Sequence, residues 1–340
     1  MSSQSPSRLP RIHVPRISVI MPSYNTAALI GGCLDSVFQQ SFQDFEAIIV
    51  NDGSPDTPEL ERVLAPYLEK FADKIVYIRQ PNKRAAGARN TAIRQARGEF
   101  LAFLDTDDQW LPEHLSAQMK LFEDDPTLDL VYANGLSVGN AQLEHEFMDW
   151  CPTEGPADFQ ALVLERCHIP VCTVVARKTA IERAGLFDES LTRCDDYDMW
   201  LRAAFHGAKI AYTHKVQARM SQGRPGSLGA SRVKMTEAYW VILDKALRTL
   251  PLTESDRVVV QDQATKVRAL YLLDEGKYRL QQEEFDQARS CLREANRHLH
   301  RPKVSLTLAG LAIAPRATGR LASLMERLQL WGVRHLSSRR

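Results

Sequence analysis

Between residues 17 and 133 the chain alternates short apolar runs with amphipathic stretches, and no other feature limits its fold as tightly. Residues 17–21, 45–50, 75–78, 100–104 and 128–133 are rich in β-branched and aromatic side chains and have the length of buried strands. Helical spacing separates them. Leu29, Ile30, Cys33, Leu34, Val37 and Phe38 share one helix face, and Leu60, Val63, Leu64, Tyr67, Leu68 and Phe71 share another. Residues 85–97 form a third helical segment, short on large apolar residues, and a fourth lies around 112–123. Strand and helix in turn, with short links, predict βαβ units and an α/β fold with a doubly wound, mostly parallel sheet.

Three of these strands end in polar turn-forming residues: Ser23-Tyr24-Asn25, Asn51-Asp52-Gly53 and Asp105-Thr106-Asp107. In a parallel sheet such ends share one edge, where open α/β sheets bind ligands. The spacing therefore predicts that Asp52, Asp105 and Asp107 converge on one crevice. A D-x-D pair offers hard oxygen ligands to a divalent cation that holds substrate phosphates. The plainer alternative is an acidic turn capping the next helix, and Asp108 is expected to do no more than that.

Of the 340 residues, 44% are hydrophobic and 25% charged, as in an ordinary globular protein, and the net charge of +1 makes no case for nucleic-acid binding. Six cysteines, none in a C-x-x-C pair, read as reduced and mostly packed thiols of a cytoplasmic protein. Residues 1–15 read as a basic, disordered tail without the apolar core of a signal peptide. No run is long and apolar enough for a transmembrane helix.

Residues 134–170 have no clear period and are expected to form an irregular loop over the site. Residues 171–176 read as a strand, 179–184 as a short helix, and 209–212 as a closing strand. Asp195 or Asp196 is placed to cap a helix running to about His206. Residues 221–231, rich in Gly, Ser and Pro, read as a mobile loop. The first domain is thus expected over 16–231. A helical region follows over 232–300, with one tetratricopeptide-like hairpin between about 263 and 295. Residues 301–340 form a basic amphipathic segment whose only acid is Glu326. Peripheral contact with an anionic membrane is one reading of it, and a solvated basic helix face is the other.

Five motifs together resemble glycosyltransferase family 2. They are Ile17-Ser18-Val19-Ile20-Met21-Pro22-Ser23-Tyr24-Asn25, Val50-Asn51-Asp52-Gly53-Ser54, Ala86-Gly87-Ala88-Arg89-Asn90, Leu104-Asp105-Thr106-Asp107-Asp108, and Cys194-Asp195-Asp196-Tyr197-Asp198-Met199-Trp200-Leu201-Arg202. The resemblance covers about residues 16–228 and implies the GT-A fold and inverting transfer from a nucleotide sugar. On it, Asp52 takes the place of the aspartate that accepts a hydrogen bond from uracil. Pro22 and Tyr24 take the places of base-pocket residues, and Arg89 that of an arginine near the nucleotide or its phosphates. Asp105 contacts ribose and metal and Asp107 coordinates the metal, Mg²⁺ or Mn²⁺, bridging the diphosphate. Asp196 is the general base beside Asp195, which stands where the family usually has Glu. Trp200 matches either an acceptor-side wall or a core tryptophan, and Arg202 the helix that follows.

One departure concerns the loop near Arg219. Many family members carry a metal-binding histidine there, whereas this chain reads Arg219-Met220-Ser221-Gln222-Gly223-Arg224, with His214 upstream on the far side of the expected strand. Asp107 with phosphates and water, or part of the positive charge from Arg224, is expected to take its place. The implied activity is transfer from a nucleotide sugar, UDP-sugar first, to a hydroxyl of a glycan or lipid-linked acceptor. The competing readings are a catalytically inactive scaffold with this fold and a nucleotidyltransferase. The second would want a Gly-rich phosphate loop that residues 22–28 do not provide. A dehydrogenase is disfavoured because no G-x-G-x-x-G follows the first strand.

Overall fold

A computed structural model of the chain describes residues 13–139, 144–221 and 231–319. The chain divides into two compact units, Met1–Arg224 and Pro225–Arg340.

The first unit carries one sheet. Its strands are β1 (Ile17–Ser23), β2 (Phe45–Asp52), β3 (Ile75–Gln80), β4 (Phe100–Phe103), β5 (Gln109–Trp110), β6 (Leu130–Val138), β7 (His145–Glu146), β8 (Val175–Arg177) and β9 (Ile210–Ser221). The order is β3-β2-β1-β4-β8-β6-β9-β5, with β7 beside β6. The first four strands are parallel, as the βαβ pattern requires. Beyond β4 the sheet is mixed: β8 runs antiparallel to both β4 and β6, β5 is antiparallel to β9, and β6 and β9 are parallel. All eight residues of β2 are buried, as expected of a strand covered on both faces.

The helices of this unit are α1 (Ile30–Phe38), α2 (Thr57–Lys70), α3 (Arg84–Gln95), α4 (His114–Asp124), α5 (Phe147–Trp150), α6 (Phe159–Val163), α7 (Lys178–Arg183) and α8 (Asp195–Phe205). α1 buries Ile30, Cys33, Leu34 and Val37, an i, i+3, i+4, i+7 stripe, against β1 and its neighbours. Phe38 at its end stacks on Phe71 at 3.8 Å.

Several boundaries differ from the sequence reading, each through long-range pairing. Residues 171–173 form a 3₁₀ turn, and only Val175–Arg177 pair as a strand. The closing strand is not confined to 209–212, because β6 and β5 extend its pairing to Ser221. His214 therefore lies inside β9, exposed, rather than beyond it. Residues 134–170 are not one irregular loop: they contain the end of β6, β7, α5 and α6.

His114 opens α4 fully buried, stacked on Trp110 at 4.5 Å, and neither ring nitrogen has a hydrogen-bond partner among the described residues. Burial lowers its pKa to about 3, so it is neutral in the native state. The unfolded chain protonates it near pH 6.5. Between those values the unfolded state binds more protons, and stability falls as pH falls. A tenfold difference in proton affinity between the two states is worth about 1.4 kcal/mol. In His114→Leu, chemical denaturation at pH 7 and pH 4.5 is expected to show a smaller loss between the two than wild type. An equal loss would exclude His114 as the cause.

The second unit is helical: α9 (Arg232–Thr249), α10 (Glu254–Gln281), α11 (Phe285–Leu299) and α12 (Pro302–Ile313). α10 begins nine residues before the helix expected from position 263, capped by Thr253, whose hydroxyl accepts from Asp256 N. Gly276 lets α11 approach: a Cβ there would meet Leu292 at 2.8 Å. Among the described residues no helix is long and apolar enough to cross a membrane. Of the expected basic segment, α12 is described, with Leu306 and Ile313 exposed. Residues 320–340, and the loop over 222–230 with Arg224, lie outside the described residues.

Candidate active site

The carboxyl ends of β1, β2 and β4 are tied into one rim. Thr106 donates its hydroxyl hydrogen to Pro22 O at 3.1 Å and lies 2.8 Å from the Thr26 hydroxyl, which lies 3.0 Å from that of Ser23. Each hydroxyl donates once, so the chain runs Ser23 to Thr26 to Thr106 to Pro22. Asn25 N donates to Ser54 Oγ at 2.6 Å and Ala27 N to Asp56 Oδ2 at 2.8 Å, joining the β1 turn to the β2 turn. Tyr24 stands half exposed on this rim, beside Pro22.

Asp52 is 2% exposed. Its Oδ1 accepts from Gln80 Nε2 at 2.6 Å and Lys83 N at 2.8 Å, leaving Oδ2 without a partner among the described residues. The Asx turn at this position belongs to its neighbour, since Asn51 Oδ1 accepts from Ser54 N at 3.0 Å. Gly53 has φ +65°, and a Cβ there would stand 2.7 Å from Asn82 N, so the turn requires glycine.

α3 explains its poverty in large residues by what it buries. Ala86, Gly87, Ala88, Arg89, Asn90, Ala92 and Ile93 are all buried. Small side chains bring the helix close to β1 and β2 and put Arg89 inside the protein. Asn90 clamps the segment ahead of α8: its Nδ2 donates to Phe187 O at 2.8 Å and its Oδ1 accepts from Phe187 N at 2.9 Å.

Arg89 is the centre of the site. Nη2 donates to Asp105 Oδ1 at 2.6 Å and Nη1 to Asp195 Oδ2 at 2.7 Å, with the arginine side chain 5% exposed and that of Asp195 8%. Its Nε has no partner among the described residues. Burial opposes its charge, but Asp105, then Asp195 and Asp196, outweigh burial and hold the guanidinium protonated. The resemblance alone points this arginine toward a nucleotide; the fold makes it the bridge between the D-x-D turn and the second acidic pair.

Neither Asp195 nor Asp196 caps α8. The N-cap is Cys194, left-handed at φ 54°, ψ 29°, and the aspartates are the first two helical residues. A non-glycine residue in that conformation is strained, and here it turns both carboxylates into the site at the positive end of the helix. Asp196 is partly exposed; burial, then the charge of Asp195, push its pKa up to about 6, while Arg89 opposes the rise.

Asp108 is not a simple helix cap. Buried, it accepts from Ser221 N at 2.8 Å, so it fastens the end of β9 to the acidic turn. Burial, then Asp107 and Asp105, raise its pKa well above the usual carboxylate range. Trp200 is not an acceptor wall: 1% exposed, it packs edge-on against Phe103 and Phe187. Arg202 pairs with Asp198 at 2.7 Å and bonds Ala184 O, which pins α8 behind the site.

A divalent cation suits this donor set. Asp105 and Asp107 offer oxygen only, as Mg²⁺ and Mn²⁺ prefer. Asp105 keeps Oδ2 clear of its bond to Arg89. The raised pKa of Asp108 has burial as its first cause and the like charges of Asp107 and Asp105 as the next. Among the described residues no three carboxylate, His or Cys groups make a ready metal cage.

The mixed sheet with an acidic turn at the end of its fourth strand is the arrangement of the GT-A fold. Among solved structures, S. aureus TarS 1–349 in complex with UDP-GlcNAc matches with a TM-score of 0.60 at 18% identity, over 92% of each chain. The mannosyltransferase PcManGT from Pyrobaculum calidifontis, in complex with GDP-Man and Mn²⁺, matches with 0.61 at 20% identity, over 91% of this chain and 86% of that one. In sequence, the description "Glycosyl transferase family 2" matches residues 18–183. The Escherichia coli UDP-Glc:alpha-D-GlcNAc-diphosphoundecaprenol beta-1,3-glucosyltransferase WfgD is 31% identical over 187 residues, 54% of this chain and 68% of that protein. An uncharacterised glycosyltransferase of Methanocaldococcus jannaschii is 30% identical, over 58% of this chain and 67% of its own length. The chain belongs to glycosyltransferase family 2 and is a glycosyltransferase.

Proposed function

We propose that this enzyme transfers a sugar, with inversion, from a nucleoside diphosphate sugar, a UDP-sugar first, to a hydroxyl of a glycan or lipid-linked acceptor. The observation that carries the reading is the Arg89 bridge, because it holds the donor-side Asp105 and the pair Asp195–Asp196 in one site. Asp52 Oδ2 receives the imide N–H of the base, beside Pro22 and Tyr24. Asp105 and Asp107 hold a divalent cation that, when bound, offsets charge on the departing diphosphate. Asp195 is committed to Arg89, which leaves Asp196 as the base. It takes the acceptor hydroxyl proton as that oxygen bonds the anomeric carbon, and the electron pair of the broken bond leaves with the diphosphate. The likeness to WfgD supports a lipid-linked acceptor.

Calorimetry with UDP, GDP and dTDP, with and without Mn²⁺, tests the donor half. One nucleotide is expected to bind in a metal-dependent way, and Asp107→Ala to weaken it at least tenfold, about 1.4 kcal/mol. A folded wild type that binds none of the three sinks the transferase reading in favour of a scaffold.

A further inference from the structure

Trp150 is 72% exposed, the most exposed large apolar side chain among the described residues of the first unit. His145 stacks on it, with ring centroids 4.5 Å apart and planes 28° from parallel. The stack covers one face of the indole, and the side chain as a whole stays 72% exposed. An aromatic face held rigid in solvent is a ready contact for an amphipathic ligand.

Its place in the fold narrows the ligand. His145 and Glu146 pair with Ser137 and Leu136 at the end of β6. Leu136 is level with Arg219 on β9, and Arg219 with Gln109 on β5, the residue after Asp108. Three strand spacings, roughly 14 Å, separate the β7 rung from the acidic turn along the same sheet edge. From Trp150 the chain leads to Leu162, whose carbonyl accepts from the Tyr197 hydroxyl at 3.3 Å, one residue beyond Asp196. The segment thus runs from the platform to the helix of the second acidic pair. Asp52 lies on β2, on the far side of β1, β4 and β8, so a donor base held there is not what Trp150 meets.

Glu146 and Asp149, four residues and one residue before Trp150 in the chain, are both exposed. Glu146 Oε2 accepts from Asn134 Nδ2 at 2.8 Å. Carboxylates accept hydrogen bonds from sugar hydroxyls and repel anions, so the surroundings suit a neutral ring and not a diphosphate. We infer that Trp150, backed by His145, is a platform for an uncharged pyranose ring of the acceptor, farther along the glycan than the hydroxyl that reacts. This rests on the transferase reading above.

Saturation-transfer NMR with chitobiose, cellobiose, maltose and lactose, and with UDP plus Mn²⁺ as a separate probe, tests it on the full chain. Wild type is expected to bind at least one disaccharide saturably. Trp150→Ala is expected to weaken that binding about tenfold, and Trp150→Tyr to keep it, with UDP binding equal in all three. Because the side chain is exposed, the variants are expected to melt as wild type does. No disaccharide binding to wild type, or equal binding to Trp150→Ala, overturns the platform while UDP binding leaves the transferase reading standing. A wild type that binds none of UDP, GDP and dTDP in the calorimetry above overturns both.

Discussion

Asp196→Asn is expected to lower the transfer rate by about 10²–10⁴-fold, the range for loss of a general base, with nucleotide affinity nearly unchanged. The replacement is isosteric and keeps Tyr197 N within reach of the side-chain oxygen that now accepts from it at 2.9 Å. The pH profile supplies a second check. Burial and the charge of Asp195 push the Asp196 pKa up to about 6, against the pull of Arg89. A base works as the carboxylate, so kcat/KM is expected to rise with pH through about 6 and level off above it. The residual activity of Asp196→Asn is expected to lack that limb. Release of nucleoside diphosphate, followed from pH 5 to 8, reads both. A variant with an unchanged rate would move the base elsewhere.

Arg89→Met is expected to destabilise the first unit by about 3–5 kcal/mol, the cost of leaving a buried charge without its partner. The arginine side chain is 5% exposed and that of Asp195 8%, against 32% for Asp105, so water cannot replace the bond to Asp195. For a unit of this size the loss corresponds to a fall in melting temperature of roughly 6–20 °C. Adding Asp195→Asn removes the stranded charge, so the double variant is expected to recover part of the stability. That non-additivity is the signature of direct coupling. Calorimetric melts of the two single variants and the double variant measure it. If Arg89→Met melts as wild type does, the bridge is not a structural element.

The alternation of strands and helices up to β6 was legible because it is written in local hydrophobic period, and the parallel half of the sheet follows from it. The sheet beyond β4 was not. β5 has two residues, and β9 runs on past Tyr212 only because β6 and β5 offer it partners. A strand made by pairing leaves little trace in its own residues. Trp200 shows the same limit at one position: the motif places it beside the acidic pair, and only the packing of Phe103 and Phe187 puts it in the core.

The acidic residues themselves, Asp52, Asp105, Asp107, Asp195 and Asp196, could be named from spacing and family likeness. Their surroundings separate only in three dimensions. Asp108 reads in sequence as a spare carboxylate, and its bond to Ser221 N spans 113 residues. Cys194 carries no local sign that it will turn left-handed before α8. The small residues of α3 hint that Arg89 is buried, but what it grips is not visible in them.

By itself, the sequence determined which segments are strands and helices up to the sixth strand, the two-residue β5 excepted, and that three polar turns, two of them acidic, lie at one sheet edge. Both follow from local periodicity and chain direction. The tertiary structure alone decided that one guanidinium joins Asp105 to Asp195, because that contact spans residues far apart in the chain and exists only once α3, β4 and α8 have packed together.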